Sequence, residues 1–185
     1  MLTTTWRDDG STADEATLRE RALTGDRIAL ERLLTPHEQA LFRLCKSQLG
    51  RTTDTEDAVQ ETLLRAIRAL TRPGGFSGRS QLKTWLSRIA LNVCAERRRE
   101  RPVLLLPFLE RMSSNPETDA VNRLELHAAL AALTPRQRAV LVLKKAEGWS
   151  VAEIAEALGL KEKQIDNELQ KARQALERWN RRQTP

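Results

Sequence analysis

The sequence predicts an all-α protein of two small helical domains joined by a linker. Three observations predict it. Apolar residues recur at helical spacing along nearly the whole chain, and no stretch alternates apolar and polar residues with β-branched content as a strand would. Helix starts and stops are marked by capping residues, prolines and glycines. The periodicity is interrupted once, near the middle, by RPVLLLPFLERMSSNP, and 185 residues suit one medium domain or two small ones.

The elements follow in order. After a polar tail over 1–14, Thr12 or Asp14 opens a short helix through Leu23. Gly25-Asp26 breaks it, and Asp26 caps the next, which carries Ile28, Leu30, Leu33 and Leu34. Pro36 starts a third helix with Leu41, Leu44, Cys45 and Leu49, and Gly50 stops it. Thr53-Asp54-Thr55-Glu56 reads as a capping box. The helix it opens has Val59, Leu63, Ala66, Ile67 and Leu70 on one face, with Asp57, Gln60, Glu61 and Leu64 pointing more nearly the other way. RPGGFSGR, residues 72–79, is a loop with one large apolar tip, Phe76. Ser80 caps a helix running to about Arg101, with a stripe of Leu82, Trp85, Leu86, Ile89 and Val93, and Pro102 ends it.

Residues 102–118 read as the linker. Leu104–Leu106 and Phe108 are more apolar than a solvated tether needs, so they pack on a domain or meet a partner. Asn115-Pro116 opens a helix over about Glu117 to Ala132. Thr134-Pro135-Arg136-Gln137 and Ser150-Val151-Ala152-Glu153 are capping boxes for two further helices, ended by Gly148 and Gly159. A longer helix follows, with Ile165, Leu169, Ala172 and Leu176 on its inner face.

Ala155, Gly159 and Ile165 are the most specific signal. A helix-turn-helix needs a small residue where its helices touch, a residue tolerating left-handed backbone at the turn, and an apolar anchor on the second helix. All three stand at the required spacing. Such a unit places its second helix in the DNA major groove. Away from the Ile165/Leu169/Ala172 face lie Lys163, Gln164, Asp166, Asn167, Gln170 and Lys171. Asn and Gln pair with adenine and Asp accepts from cytosine, while Lys171 and Arg173 suit phosphates.

Composition excludes several classes. Charged residues are 30% of the chain and the net charge is +6. No run of uncharged apolar residues is long enough to cross a membrane, and the first residues lack a secretory pattern, so a cytoplasmic protein without membrane insertion is expected. Cys45 and Cys94 form no CxxC, and both fit buried apolar faces; His37 and His127 stand far apart. No phosphate loop, HExxH or carboxylate cluster occurs, so no catalytic residue, metal or cofactor is expected. The charge is uneven: Arg79 to Arg101 holds seven basic and two acidic residues, whereas Arg51 to Glu61 is acidic. Solvated helix faces can look like this, but Arg side chains beside Phe76 and Trp85 also suit single-stranded DNA. Trp85 equally fits the core stripe it shares with Leu82 and Ile89.

The runs DAVQETLLRAIRAL, FSGRSQLKTWLSRIALNVCAERRR and LTPRQRAVLVLKKAEGWSVAEIAEALGL, with a last helix ending KARQAL, resemble the extracytoplasmic-function (ECF) group of bacterial RNA polymerase sigma factors. The resemblance covers about 15–101 and 119–180, which it identifies as region 2 and region 4. It implies that Asp57, Gln60 and Glu61 grip the clamp of the polymerase largest subunit, with region 4 on the flap. Phe76 to Ser80, including Arg79, would capture an unstacked −10 base; Lys83, Trp85, Arg88 and Asn92 would follow the melted strand. Arg97, Arg98 and Arg99 would lie near the upstream duplex, and the helix from Lys161 would read the −35 element. Asp166-Asn167-Glu168 stands where most of the family has a Lys/Arg-Ser-Arg run, implying a different −35 sequence. The implied partners are core RNA polymerase, promoter DNA and an anti-sigma factor, the free chain being a monomer whose halves move relative to each other or are held by that factor. The alternative is a helix-turn-helix regulator that is not a polymerase subunit; it leaves the Asp57/Gln60/Glu61 helix and the Phe76–Arg99 segment unexplained.

Overall fold

The computed structural model describes residues 12–100 and 128–183, and all regular structure among them is helical. The first bundle comprises α1 (Thr12–Leu23), α2 (Arg27–Leu34), a 3-10 turn (Thr35–His37), α3 (Glu38–Leu49), α4 (Thr52–Leu70) and α5 (Leu82–Glu100). Asp26 caps α2 by accepting from the N–H groups of Ile28 and Ala29 at 2.9 and 3.2 Å. The helices α3, α4 and α5 pack on one another, and Leu41, Leu44, Leu49, Ala66, Leu86, Ala90 and Val93 between them are buried. Each such leucine contributes roughly 1.5–3 kcal/mol by leaving water.

Three expected boundaries move. Pro36 lies within the 3-10 turn, and α3 begins two residues later, at Glu38. The expected capping box at Thr53 does not form. Gly50 turns the chain at φ 76, Arg51 is extended, and α4 starts at Thr52 without a side-chain cap. Thr55 instead donates its hydroxyl hydrogen to the Arg51 carbonyl at 2.6 Å, and Lys46 reaches the Thr52 hydroxyl at 2.8 Å. Ser80 is one residue short of capping α5, whose first turn closes from the Trp85 N–H to the Gln81 carbonyl at 3.1 Å.

The second bundle contains a helical turn at 128–131, then α6 (Pro135–Lys145), α7 (Val151–Leu158) and α8 (Glu162–Gln183). Both expected capping boxes are present, at Thr134/Gln137 and Ser150/Glu153. Gly159 ends α7 in the left-handed conformation, φ 64 and ψ 36. Val140, Leu143, Ile154, Ile165 and Ala172 are buried, and so is Trp149, the largest fully buried side chain among the described residues. The expected linker over 102–118, and the part of the expected Glu117–Ala132 helix before residue 128, lie outside the described residues.

The two bundles pack directly on each other, α3 against α6 and α5 against α7. Arg43 of α3 makes a two-pronged contact with Glu147, Nε to Oε1 at 2.7 Å and Nη2 to Oε2 at 2.9 Å. The buried Arg138 of α6 donates to the Ser47 carbonyl at 3.2 Å. Lys83 of α5 pairs with Glu153 of α7 at 2.9 Å.

Candidate nucleic-acid interface

Three surfaces hold the residues singled out by sequence. The first is the outer face of α4. Asp57 is 62% exposed and lies 3.7 Å from Arg97, and Gln60 is exposed beside it. Glu61 is half-buried and accepts from Arg65 Nε at 2.7 Å. Arg65 also donates to both oxygens of Glu96 on α5, at 3.0 and 2.7 Å, which holds the Glu96 carboxyl below its usual range. Leu64, 48% exposed, gives this acidic face an apolar centre.

The second surface is the 72–79 loop with α5. Phe76 does not stand free. Its ring centre lies 4.7 Å from that of Trp85, and the Arg19 guanidinium of α1 sits over the ring, 5.5 Å from its centre. A cleft of about 260 Å³ opens beside it, lined by Arg19, Glu20, Leu23, Leu70, Phe76 and Gly78 among others. Trp85 is half-buried, serving the core stripe and the Phe76 stack together. Arg79 is exposed and Ser80 half-buried. Asn92 and Arg99 are exposed and share a cleft of about 310 Å³ with Arg65 and Glu96. The basic end of α5 divides: Arg99 faces outward, Arg97 leans to Asp57, and Arg98 turns inward to donate to Gln48 at 2.9 Å. Lys83 and Arg88 face α7. Arg88 donates to the carbonyls of Glu156 and Ala157, the latter at 3.3 Å.

The third surface is α8. Ile165 and Ala172 are buried, which turns Lys163, Gln164, Asp166, Asn167, Gln170, Lys171 and Arg173 outward, all exposed. Gln164 has a local task as well, since its side-chain oxygen accepts from the Lys161 N–H at 2.9 Å. Lys171 lies 3.6 Å from Glu168. Amides and a carboxylate flanked by lysines on one exposed helix face can read base edges while neighbouring cations take phosphates.

Comparison with known proteins matches residues 33–102 to Sigma-70 region 2 and residues 123–176 to Sigma-70, region 4. The ECF RNA polymerase sigma factor SigM of Mycobacterium tuberculosis is 31% identical over 171 residues, spanning 89% of this chain and 83% of that protein. The chain belongs to the ECF RNA polymerase sigma factor family. SigG of the same species is 37% identical over 175 residues, but this chain spans only 46% of its length. Among solved structures, CnrH in complex with the cytosolic domain of CnrY is similar at TM-score 0.69 and 25% identity, over 90% of this chain and 96% of that one. The sigma factor RpoE bound to the anti-sigma factor NepR from Bartonella quintana is similar at TM-score 0.63 and 26% identity, over 80% and 94%.

Within this ECF frame, sequence reasoning missed the residues joining region 2 to region 4. Arg43, Glu147 and Arg138 carry no local motif, because their partners lie about a hundred residues away along the chain. Arg19 was equally invisible, lying on α1 far from Phe76 in sequence. His37 is half-buried at the foot of α3; burial first, then the Lys83 ammonium, lowers its pKa to about 4. Cys45 and Cys94 are both buried and free, and the neighbouring Cys94 sulfur together with burial raises the Cys45 thiol well above its usual range. No helix of the described residues is long and apolar enough to cross a membrane, and among them no three potential metal ligands gather.

Proposed function

We propose that the chain is a promoter-specificity subunit of bacterial RNA polymerase, working in the cytoplasm. It docks on the clamp of the polymerase largest subunit through Asp57, Gln60, Glu61 and the apolar Leu64, with region 4 on the flap. The α8 face enters the major groove of the −35 duplex. Phe76, Arg79 and Ser80 capture an unstacked −10 base, and Lys83, Trp85, Arg88, Asn92 and the Arg97–Arg99 end hold the strand and its upstream duplex. Trapping the base offsets an unstacking cost of a few kcal/mol, roughly. RNA synthesis is the polymerase's chemistry, and this chain supplies address and strand separation without a catalytic group.

The observation that carries this reading is the coexistence, in one chain, of two basic and amide-bearing DNA-type surfaces with an exposed acidic face on α4. A regulator acting without polymerase has use for α8 alone. The solved complexes of CnrH with the cytosolic domain of CnrY and of RpoE with the anti-sigma factor NepR support an anti-sigma factor as a further partner of this otherwise monomeric chain.

The test is run-off transcription with sigma-free core polymerase and fragmented genomic DNA from the source. Discrete new 5′ ends sharing an upstream −35/−10 pattern are expected. Operator binding without any new start would replace the proposal with the regulator reading.

A further inference from the structure

Glu96 is out of keeping with its surroundings. From Arg79 to Arg101 only Glu96 and Glu100 are acidic, yet the Glu96 carboxylate stands among the proposed strand contacts of α5. It lines the cleft of about 310 Å³ between α4 and α5, with Arg65, Ile89, Asn92, Ala95 and Arg99. Arg65 fixes its orientation, donating from Nη1 to one oxygen at 3.0 Å and from Nη2 to the other at 2.7 Å. Arg65 is itself held by Glu61, which accepts from its Nε at 2.7 Å. The Glu96 side chain is 46% exposed, and so exposed a pair adds little stability.

The donors and acceptors of the cleft suit a base edge better than a phosphate. Arg65 takes one lone pair on each Glu96 oxygen, and each oxygen can accept once more. The carboxylate repels a phosphate oxygen, and equally O4 of thymine or O6 of guanine, but accepts from N6 of adenine or N4 of cytosine. Asn92, exposed one turn before Glu96, can pair with the same edge, and the exposed Arg99 can take the adjoining phosphate. Half-buried Ile89 gives the cleft an apolar wall. The cleft shares no lining residue with the one beside Phe76. Trp85, which stacks on Phe76, and Glu96 stand about 16 Å apart along α5 at about 1.5 Å per residue. That spans about three to five nucleotides of a strand with bases at least about 3.4 Å apart.

We infer that the α4–α5 cleft is a second base-reading site, in which Glu96 selects a promoter base bearing an exocyclic amino group, adenine or cytosine, upstream of the base captured at Phe76. Arg65 is a positioning residue that aims the reader. This rests on the proposed course of the strand along α5.

The test uses holoenzyme made with the full chain, on a promoter found by run-off transcription. Heteroduplexes place each of the four bases in turn at each non-template position upstream of the captured base, and open-complex formation is measured. Adenine or cytosine should be favoured about tenfold over thymine and guanine at one position, about three to five nucleotides upstream. Comparing the two amino bases there shows which is cognate. Glu96→Gln keeps an oxygen for Arg65 but adds an amide donor that can pair with O4 or O6, so the preference at that position should vanish while all others persist. Arg65→Met leaves the carboxylate unaimed and should blur the same position and no other. An equal loss on every template, or unchanged preferences throughout, overturns the second site. Phe76→Ala in parallel separates the two ideas. If it erases the preference at its own position while Glu96→Gln alters none, the strand reading stands and the second site falls. If Phe76→Ala erases no preference, the strand reading falls and the second site with it.

Discussion

At the scale of single residues, exposure and polar partners decide which side chain is available for what. Asn167 is exposed on α8 and its amide can both donate and accept. Asn167→Ala is expected to change preference at one −35 base pair by about 1–3 kcal/mol, read by competition among operators substituted at each position. A uniform loss on every sequence would instead make Asn167 a phosphate contact. Gln164 differs, because its side-chain oxygen already holds the start of α8 and its nitrogen is the end left to face DNA. Asp57→Arg reverses the charge of an exposed side chain, so core-polymerase affinity should fall while the melting temperature stays within a few degrees, about the shift of an ordinary surface change. His37 gives a pH dependence. Its pKa is lowered to about 4 by burial and by Lys83, so the folded form disfavours its protonation. Stability is therefore full above about pH 6.5 and is lost as pH falls from there toward 4, by roughly 1–3 kcal/mol. Denaturant titrations at pH 7 and pH 5 should show the loss, and His37→Gln should flatten it.

At the scale of elements, helices announced by strong local chemistry were legible and the others were displaced. The capping boxes at Thr134 and Ser150 need only the spacing of a hydroxyl and an amide or carboxylate, and both form. Ser150→Ala should cost about 0.5–2 kcal/mol, measured by chemical denaturation. The motif at Thr53 has the same spacing but lost to its surroundings: Gly50 turns the chain and Lys46 grips Thr52, so α4 begins before Thr53 can cap it. Two glycines separate conformation from space. A Cβ on Gly159 would meet nothing within 4 Å, so Gly159→Ala costs only its left-handed backbone, about 1–2 kcal/mol. On Gly75 a Cβ would fall 2.0 Å from the Ala69 carbonyl oxygen, so Gly75→Ala must move the loop that carries Phe76. The thermal loss at Gly75 should exceed that at Gly159, and near-ultraviolet circular dichroism should report a disturbed Phe76–Trp85 stack.

At the scale of the whole molecule, the sequence declared two helical units and their surfaces but not how those units meet. Periodicity and caps are local, whereas Arg43, Arg138 and Glu147 acquire their meaning only once distant helices are adjacent. The same limit hid Arg19 behind Phe76 and turned Arg98 inward to Gln48. Because the units share an interface, the intact chain is expected to unfold by calorimetry in one transition. Arg43→Ala leaves Glu147 without its guanidinium and should split that transition into two. The exposed face of α8 has a further consequence for how a promoter is found. A protein that touches intact duplex chiefly through one exposed helix face can slide and hop along a chromosome, sampling sites without paying for unwinding at each.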